Sequence, residues 1–168
     1  MLKGAVVVLC AALVVAAAGC SGHDEGVASD PCKAEDFTLQ GLAWEGATGS
    51  LIGRMTFARK PGHECRLDPM VRARILWSNG LLAVPVRLVD RLAGDSAHQA
   101  SSSAERVAIA LQWRNWCGKG LAPRASGPLR LAISFAHGGY FEVPVTDRPR
   151  CDSRSELSRA VSTRFRAA

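Results

Sequence analysis

The chain has 168 residues, 48% of them hydrophobic and 21% charged, with a formal net charge of +6. That length supports one hydrophobic core and excludes a second domain of ordinary size. The positive excess is carried almost entirely by arginine (the lysines are Lys3, Lys33, Lys60 and Lys119) beside abundant alanine, a bias of GC-rich coding rather than of function, and it suits an anionic membrane or wall surface.

The first element is a leader. Lys3 precedes an unbroken apolar run from Gly4 to Ala18, and Ala17-Ala18-Gly19 leads straight into Cys20 and the polar Ser21-Gly22-His23-Asp24-Glu25. A charge, an apolar stretch and small residues are the layout of a secretory signal. The cysteine directly after them looks like a bacterial lipobox, in which a diacylglyceryl group joins the sulfur and the chain is cut just before it. The run is a little short of the roughly 18–20 residues that span a bilayer. Residues 1–19 are therefore read as a lipoprotein signal peptide, discarded with Cys10 inside it. Cys20 becomes the lipid-carrying first residue of a mature protein on the extracytoplasmic side of the cell membrane. Loss of Lys3 takes the formal charge from +6 to +5. An exported, tethered protein is a poor partner for nucleic acid, which is excluded. Residues 20–31 are small and polar and form a flexible tether. Residues 32–168 form the single domain.

From Asp36 onward, alternation with a period of two dominates. Phe37, Leu39 and Gly41 share one face of a first strand, and Gly46-Ala47-Thr48-Gly49-Ser50 turns the chain. Leu51, Gly53, Met55 and Phe57 line the second strand, which ends at the turn Lys60-Pro61-Gly62. Val71, Ala73, Ile75 and Trp77 point one way and Arg72 and Arg74 the other, the pattern of a half-solvated antiparallel strand. Asn79-Gly80 follows, a strong hairpin signal between alternating segments. Leu82, Val84, Val86 and Leu88 return, with Arg87 outward and Pro85 removing a ladder donor, so this strand is expected at a sheet edge or with a bulge. A polar loop spans 93–104, and Val107, Ile109, Leu111 and Trp113 alternate after it. A further loop covers 118–127. Leu129, Leu131, Ile133 and Phe135 then pair through His137-Gly138-Gly139-Tyr140 with Phe141, Val143 and Val145, and Pro144 repeats the edge argument of Pro85. A helical turn is expected at Asp152–Leu157, and Val161, Thr163 and Phe165 suit a last strand. About eight strands with turn chemistry between them predict an all-β fold, an immunoglobulin-like antiparallel sandwich of about 7–9 strands. A closed barrel is the alternative, against which the two edge-type prolines weigh.

Four cysteines remain in the mature chain: Cys32, Cys65, Cys117 and Cys151. An even number in an exported chain reads as two disulfides. Cys32 with Cys65 and Cys117 with Cys151 close loops of 33 and 34 residues, each stabilising by about 3–4 kcal/mol in the chain-entropy picture. The rival, Cys65 with Cys117 around Trp77, imitates the immunoglobulin Cys…Trp…Cys layout but has Asn115, not tyrosine, two residues before Cys117. The sequential pairs are preferred.

The lipobox, a cysteine early in the mature region, the Gly-Ser-Leu strand and the segments Cys65-Arg66-Leu67-Asp68-Pro69-Met70-Val71 and Trp113-Arg114-Asn115-Trp116-Cys117 together carry a resemblance. The chain resembles a family of actinobacterial secreted and lipid-anchored proteins of unknown function, with four cysteines and an immunoglobulin-like β-sandwich. The resemblance covers most of Pro31 to Phe165 and implies neither a reaction nor a cofactor.

No catalytic constellation survives inspection: the chain has no nucleophile elbow, Ser-x-x-Lys, His-Glu-x-x-His or Walker loop. The oxidised cysteines are not nucleophiles, no Cys-x-x-Cys suggests a metal, and neither metal nor cofactor is expected. The best binding candidates are Arg114, Trp116 and Lys119, a flat aromatic between cations suited to a glycan or an acidic partner. Packing of Trp113 in the core and of Trp116 over a disulfide is the competing use of the same residues. Outward Arg72, Arg74, Arg87 and Arg130 are the second candidate, for anionic lipid or wall polymer. The expectation is a non-enzymatic envelope lipoprotein that binds an unidentified protein, glycan or anionic surface. Its rival is a small extracellular hydrolase, or an accessory or inhibitory subunit of an envelope enzyme, with a site in loops 90–105 and 118–128.

Overall fold

The computed structural model describes residues 30–47, 49–92, 98–119 and 127–168. The leader, Cys20 and nearly all of the tether lie outside the described residues.

The domain is all-β. Its strands are β1 (Phe37–Ala47), β2 (Ser50–Arg59), β3 (Val71–Trp77), β4 (Leu82–Val89), β5 (Arg106–Arg114), β6 (Leu129–Phe135), β7 (Tyr140–Val145), β8 (Arg159–Thr163) and β9 (Arg166–Ala167), with a 3-10 turn at Ala34–Asp36 before the first. They form one hydrogen-bonded path, β1-β2-β5-β8-β4-β3-β6-β7, with β9 pairing β5. All neighbours are antiparallel except β4 and β8. The two ends of the path meet where the indole N–H of Trp44 on β1 donates to the carbonyl of Pro144 on β7 at 3.1 Å. The sheet is therefore barrel-like.

Pro85 explains why the path is continuous. The bulge allowed by its missing N–H is present just before it, where Ala83 has no counterpart on β3, but the strand does not stand at a sheet edge. Instead β4 changes partner there: Leu82, Val84 and Pro85 oppose β3, and Val86 to Val89 run parallel to Ala160–Thr163 of β8. A proline has no amide to donate, so the chain is free to leave one neighbour for another at that point. Pro144 does lie on a terminal strand of the path.

Alternation puts Val71, Ala73, Ile75, Val107, Ile109, Leu111, Leu129, Leu131 and Ile133 inside. All five phenylalanines, Phe37, Phe57, Phe135, Phe141 and Phe165, pack together with ring centroids 4.8–6.2 Å apart, and each buried ring contributes about 1.5–3 kcal/mol. Disulfides join Cys32 to Cys65 and Cys117 to Cys151, with Cα atoms 4.9 and 5.3 Å apart. This is the sequential pairing, and it ties the segment ahead of β1 to the chain between β2 and β3, and the end of β5 to the segment ahead of β8.

Two local expectations change. No helical turn forms over 152–157, which runs as bends into a bridge between Leu157 and Lys119. The last full strand, β8, also stops short of Phe165, and of Val161, Thr163 and Phe165 only Val161 is not fully buried. Ala160 and Ser162 oppose inward Trp113 and Leu111, while Val161 lies with Gln112 on the half-exposed side. Trp113 already fills that part of the interior, so only small residues fit opposite it.

Candidate functional site

The segment that ends β5 holds Arg114, Trp116 and Lys119. Trp113 is buried and donates from Nε1 to Ser158 Oγ at 2.9 Å. Asn115 has left-handed backbone, φ 53°, a conformation asparagine tolerates better than most residues. Its buried side chain ties down the strand that follows the second disulfide. Oδ1 accepts the N–H groups of Asp152 and Ser153 at 3.1 and 3.2 Å, and Nδ2 donates to the Ser153 carbonyl at 2.7 Å. Gly118 allows this close approach, since a Cβ there would stand 2.5 Å from the Glu156 carbonyl. Arg148 lies over the Trp116 ring, 5.0 Å from its centroid, and 5.8 Å from that of Trp77. Trp116 is half-buried, and the cation it meets belongs to its own chain. Arg114 and Lys119 are exposed at this end, and the Lys119 backbone exchanges hydrogen bonds with Glu156 and Ser158. Trp113, Asn115 and Trp116 thus serve the fold, with Arg114 and Lys119 left over.

The outward arginines divide differently. Arg130 pairs with Glu142 on the neighbouring strand at 3.0 Å. Arg72 and Arg74 on β3 and Arg87 on β4 are exposed and form no ion pair among the described residues. Beside them stand Leu81, Leu82 and Met70, exposed at 56%, 48% and 39%. Three unpaired cations and three exposed apolar side chains therefore share the β3–β4 region. The hairpin chemistry of Asn79-Gly80 positions them: Gly80 has φ 81°, and Asn79 Oδ1 accepts the Leu81 N–H at 3.1 Å.

A hollow of about 720 Å³, lined mainly by charged and polar residues, lies at the Lys60–Arg66 turn, with Arg59, His63, Ser102, Ser103 and Glu105 on its walls. His63 Nδ1 is 3.0 Å from Asp36 Oδ1, and Asp36 Oδ2 accepts the Lys33 N–H at 2.7 Å. Burial pushes the Asp36 carboxyl upward, but the Lys33 N–H, the His63 hydrogen bond and the charges of both residues hold it below the usual aspartate value. Among the described residues the hydrogen-bond partner of the His63 side chain is Asp36, not a serine hydroxyl. Among the described residues no three His, Cys, Asp or Glu side chains group to hold a metal ion.

Sequence reasoning missed Arg148 over the tryptophans and the Asp36–His63 pair, because both contacts join segments far apart in the chain without a motif to mark them. Comparison with protein-family models, with curated proteins and with solved structures finds no match. No helix among the described residues is long and apolar enough to cross a membrane.

Proposed function

We propose that this chain is a non-enzymatic binding module of the cell envelope, anchored through a lipid on Cys20 outside the membrane, which meets an anionic lipid surface through its β3–β4 face. One observation carries the reading: Arg72, Arg74 and Arg87 are exposed and unpaired beside exposed Leu81, Leu82 and Met70. Cations and apolar groups side by side suit the boundary between headgroups and acyl chains. Each charge near an anionic surface contributes about 1 kcal/mol, so three contribute roughly a hundredfold in binding. The fold reading that accompanies it is immunoglobulin-like. β4 is the one strand shared between the groups β1-β2-β5-β8 and β3-β6-β7, which supports two facing layers joined by a crossing strand. The likeness to the actinobacterial lipid-anchored family belongs to the same proposal.

The test is flotation of the mature chain, residues 20–168 carrying Cys20→Ala, with vesicles of phosphatidylglycerol or phosphatidylcholine. The expected result is binding to phosphatidylglycerol alone, weakened about a hundredfold in Arg72→Gln/Arg74→Gln/Arg87→Gln and little changed in Arg130→Gln. Equal binding by the triple variant removes this face from the account.

A hydrolase is the second reading, favoured by Asp36 and His63 beside Ser102 and Ser103 in the polar hollow. It requires covalent labelling by a fluorophosphonate that disappears in His63→Ala. Absence of labelling in the unaltered chain rejects it.

A further inference from the structure

The change of partner at Pro85 has an effect on β3. Opposite β4, that strand is paired only from Arg74 onward, although on its other side it pairs β6 from Val71 to Trp77. β4 has by then moved across to β8. A slot opens in the wall between them, of about 350 Å³. Its mouth lies on the outer surface, where Arg72 and Arg74 stand. Its walls are apolar and include inward residues of both strands, Val71, Ala73, Val86 and Leu88. Exposed Met70 and Leu82 extend the apolar lining outward.

We infer that this slot takes the tail of a free single-chain anionic amphiphile, such as a fatty acid, whose carboxylate is held by Arg72 and Arg74. This deepens the membrane-facing reading of the β3–β4 face and rests on it. Three features select that occupant. The volume is at the lower end of the roughly 300–1,000 Å³ typical of small-molecule sites, which suits one chain rather than two. The lining has no acidic side chain, so nothing inside repels an anion or pairs a cation. Both arginines at the mouth lack an ion-pair partner among the described residues, and guanidinium groups bind carboxylates through paired N–H donors. An apolar tail leaves water as the head group gains two cations, so the two parts of the ligand match the two parts of the slot.

The experiment is calorimetry of the mature chain, residues 20–168 carrying Cys20→Ala, with dodecanoate below its micellar concentration, beside dodecyl maltoside, which has the same tail and a neutral head. The expected result is one dodecanoate per chain, a raised unfolding temperature, and binding of the maltoside at least about tenfold weaker. Arg72→Gln/Arg74→Gln, at exposed positions, weakens dodecanoate about tenfold or more (each tenfold corresponds to about 1.4 kcal/mol). Val86→Phe fills the slot and removes dodecanoate binding while flotation with phosphatidylglycerol vesicles persists. Should Val86→Phe fail to fold by circular dichroism, the arginine variant and the maltoside decide the question alone. Vesicle binding without dodecanoate binding overturns the slot and leaves the surface reading intact. Saturable dodecanoate binding without vesicle binding supports the slot and overturns the surface contact. Equal binding by a folded Val86→Phe chain, equal binding of the two detergents, or uptake without saturation each overturns the slot.

Discussion

The Trp44 indole donates to the Pro144 carbonyl across the seam between β1 and β7, the two ends of the strand path. The same ring lies over Gly53, its cross-strand partner on β2, where a Cβ would overlap the ring carbons. A glycine opposite an aromatic leaves room for the ring to lie flat on the strand. Trp44, Gly53 and Pro144 therefore act as one unit, and each fixes the conformation of the next.

Trp44→Phe, which removes only the N–H, is expected to cost about 0.5–1.5 kcal/mol in denaturant unfolding. Gly53→Ala is expected to cost about 1–3 kcal/mol by displacing the ring. In a Trp44→Ala background the same Gly53→Ala change becomes neutral or stabilising, because glycine is a poor strand residue once nothing lies over it. Additive costs in the double-mutant cycle contradict the coupling.

Asn115 is the second structural centre. Asn115→Ala removes three hydrogen bonds to the 152–153 backbone and puts alanine at φ 53°. The expected loss is about 2–4 kcal/mol. Asn115→Gly relieves the backbone but not the lost bonds, and unfolds between the two. If glycine matches the unaltered protein, the side chain is not the tie described.

The disulfides close loops of nearly equal length, 33 and 34 residues. Cys32→Ser/Cys65→Ser and Cys117→Ser/Cys151→Ser are therefore expected to destabilise alike, each by about 2–5 kcal/mol. Non-reducing peptide maps supply the check on connectivity: a Cys65–Cys117 peptide contradicts it.

Asp36 gives the fold an acid-sensitive component. Its carboxyl is held below the ordinary value of 3.8 by the partners that outweigh burial. A lowered folded value means that the stabilisation is present above the unfolded value and is lost as pH falls through the folded one. Denaturation midpoints of the unaltered chain and of Asp36→Asn are expected to differ at pH 7 and to converge as pH is taken well below 4. A difference that stays constant across that range removes Asp36 from the acid response.

Much of this architecture was legible in the alternation. The inward sets of β3, β5 and β6 follow directly from residues such as Val71, Ile109 and Leu131, since side chains on a strand must alternate. Legibility fails where the period slips. Between Leu39 and Gly41 the β1 register jumps, leaving Gln40 without a counterpart and moving Leu42 and Trp44 to the core side. A bulge of this kind has no signature in apolar spacing. Around β8, Thr163 and Phe165 are buried as alternation suggests, but Val161 is not: Ala160 and Ser162 point inward beside it, small because a partner is large, and one strand's sequence does not report the volume opposite. Pro85 reads as a lost donor that calls for an edge or a bulge; the bulge is present at Ala83, and the edge is absent because a change of partner satisfies the same constraint. The candidate site was less legible. Exposure of Arg72, Arg74 and Arg87 follows from alternation, whereas the pairing of Arg130 with Glu142 depends on which strands become neighbours.

The central claim is that the β3–β4 face, rather than the disulfide-braced end, meets the partner. Photo-crosslinking on intact cells tests it most directly, with a photoreactive residue placed at position 74, 119 or 130 in turn. The account predicts lipid adducts from position 74, and little from position 119 beside the second disulfide or position 130 on β6. Adducts confined to position 119, with position 74 silent, contradict it.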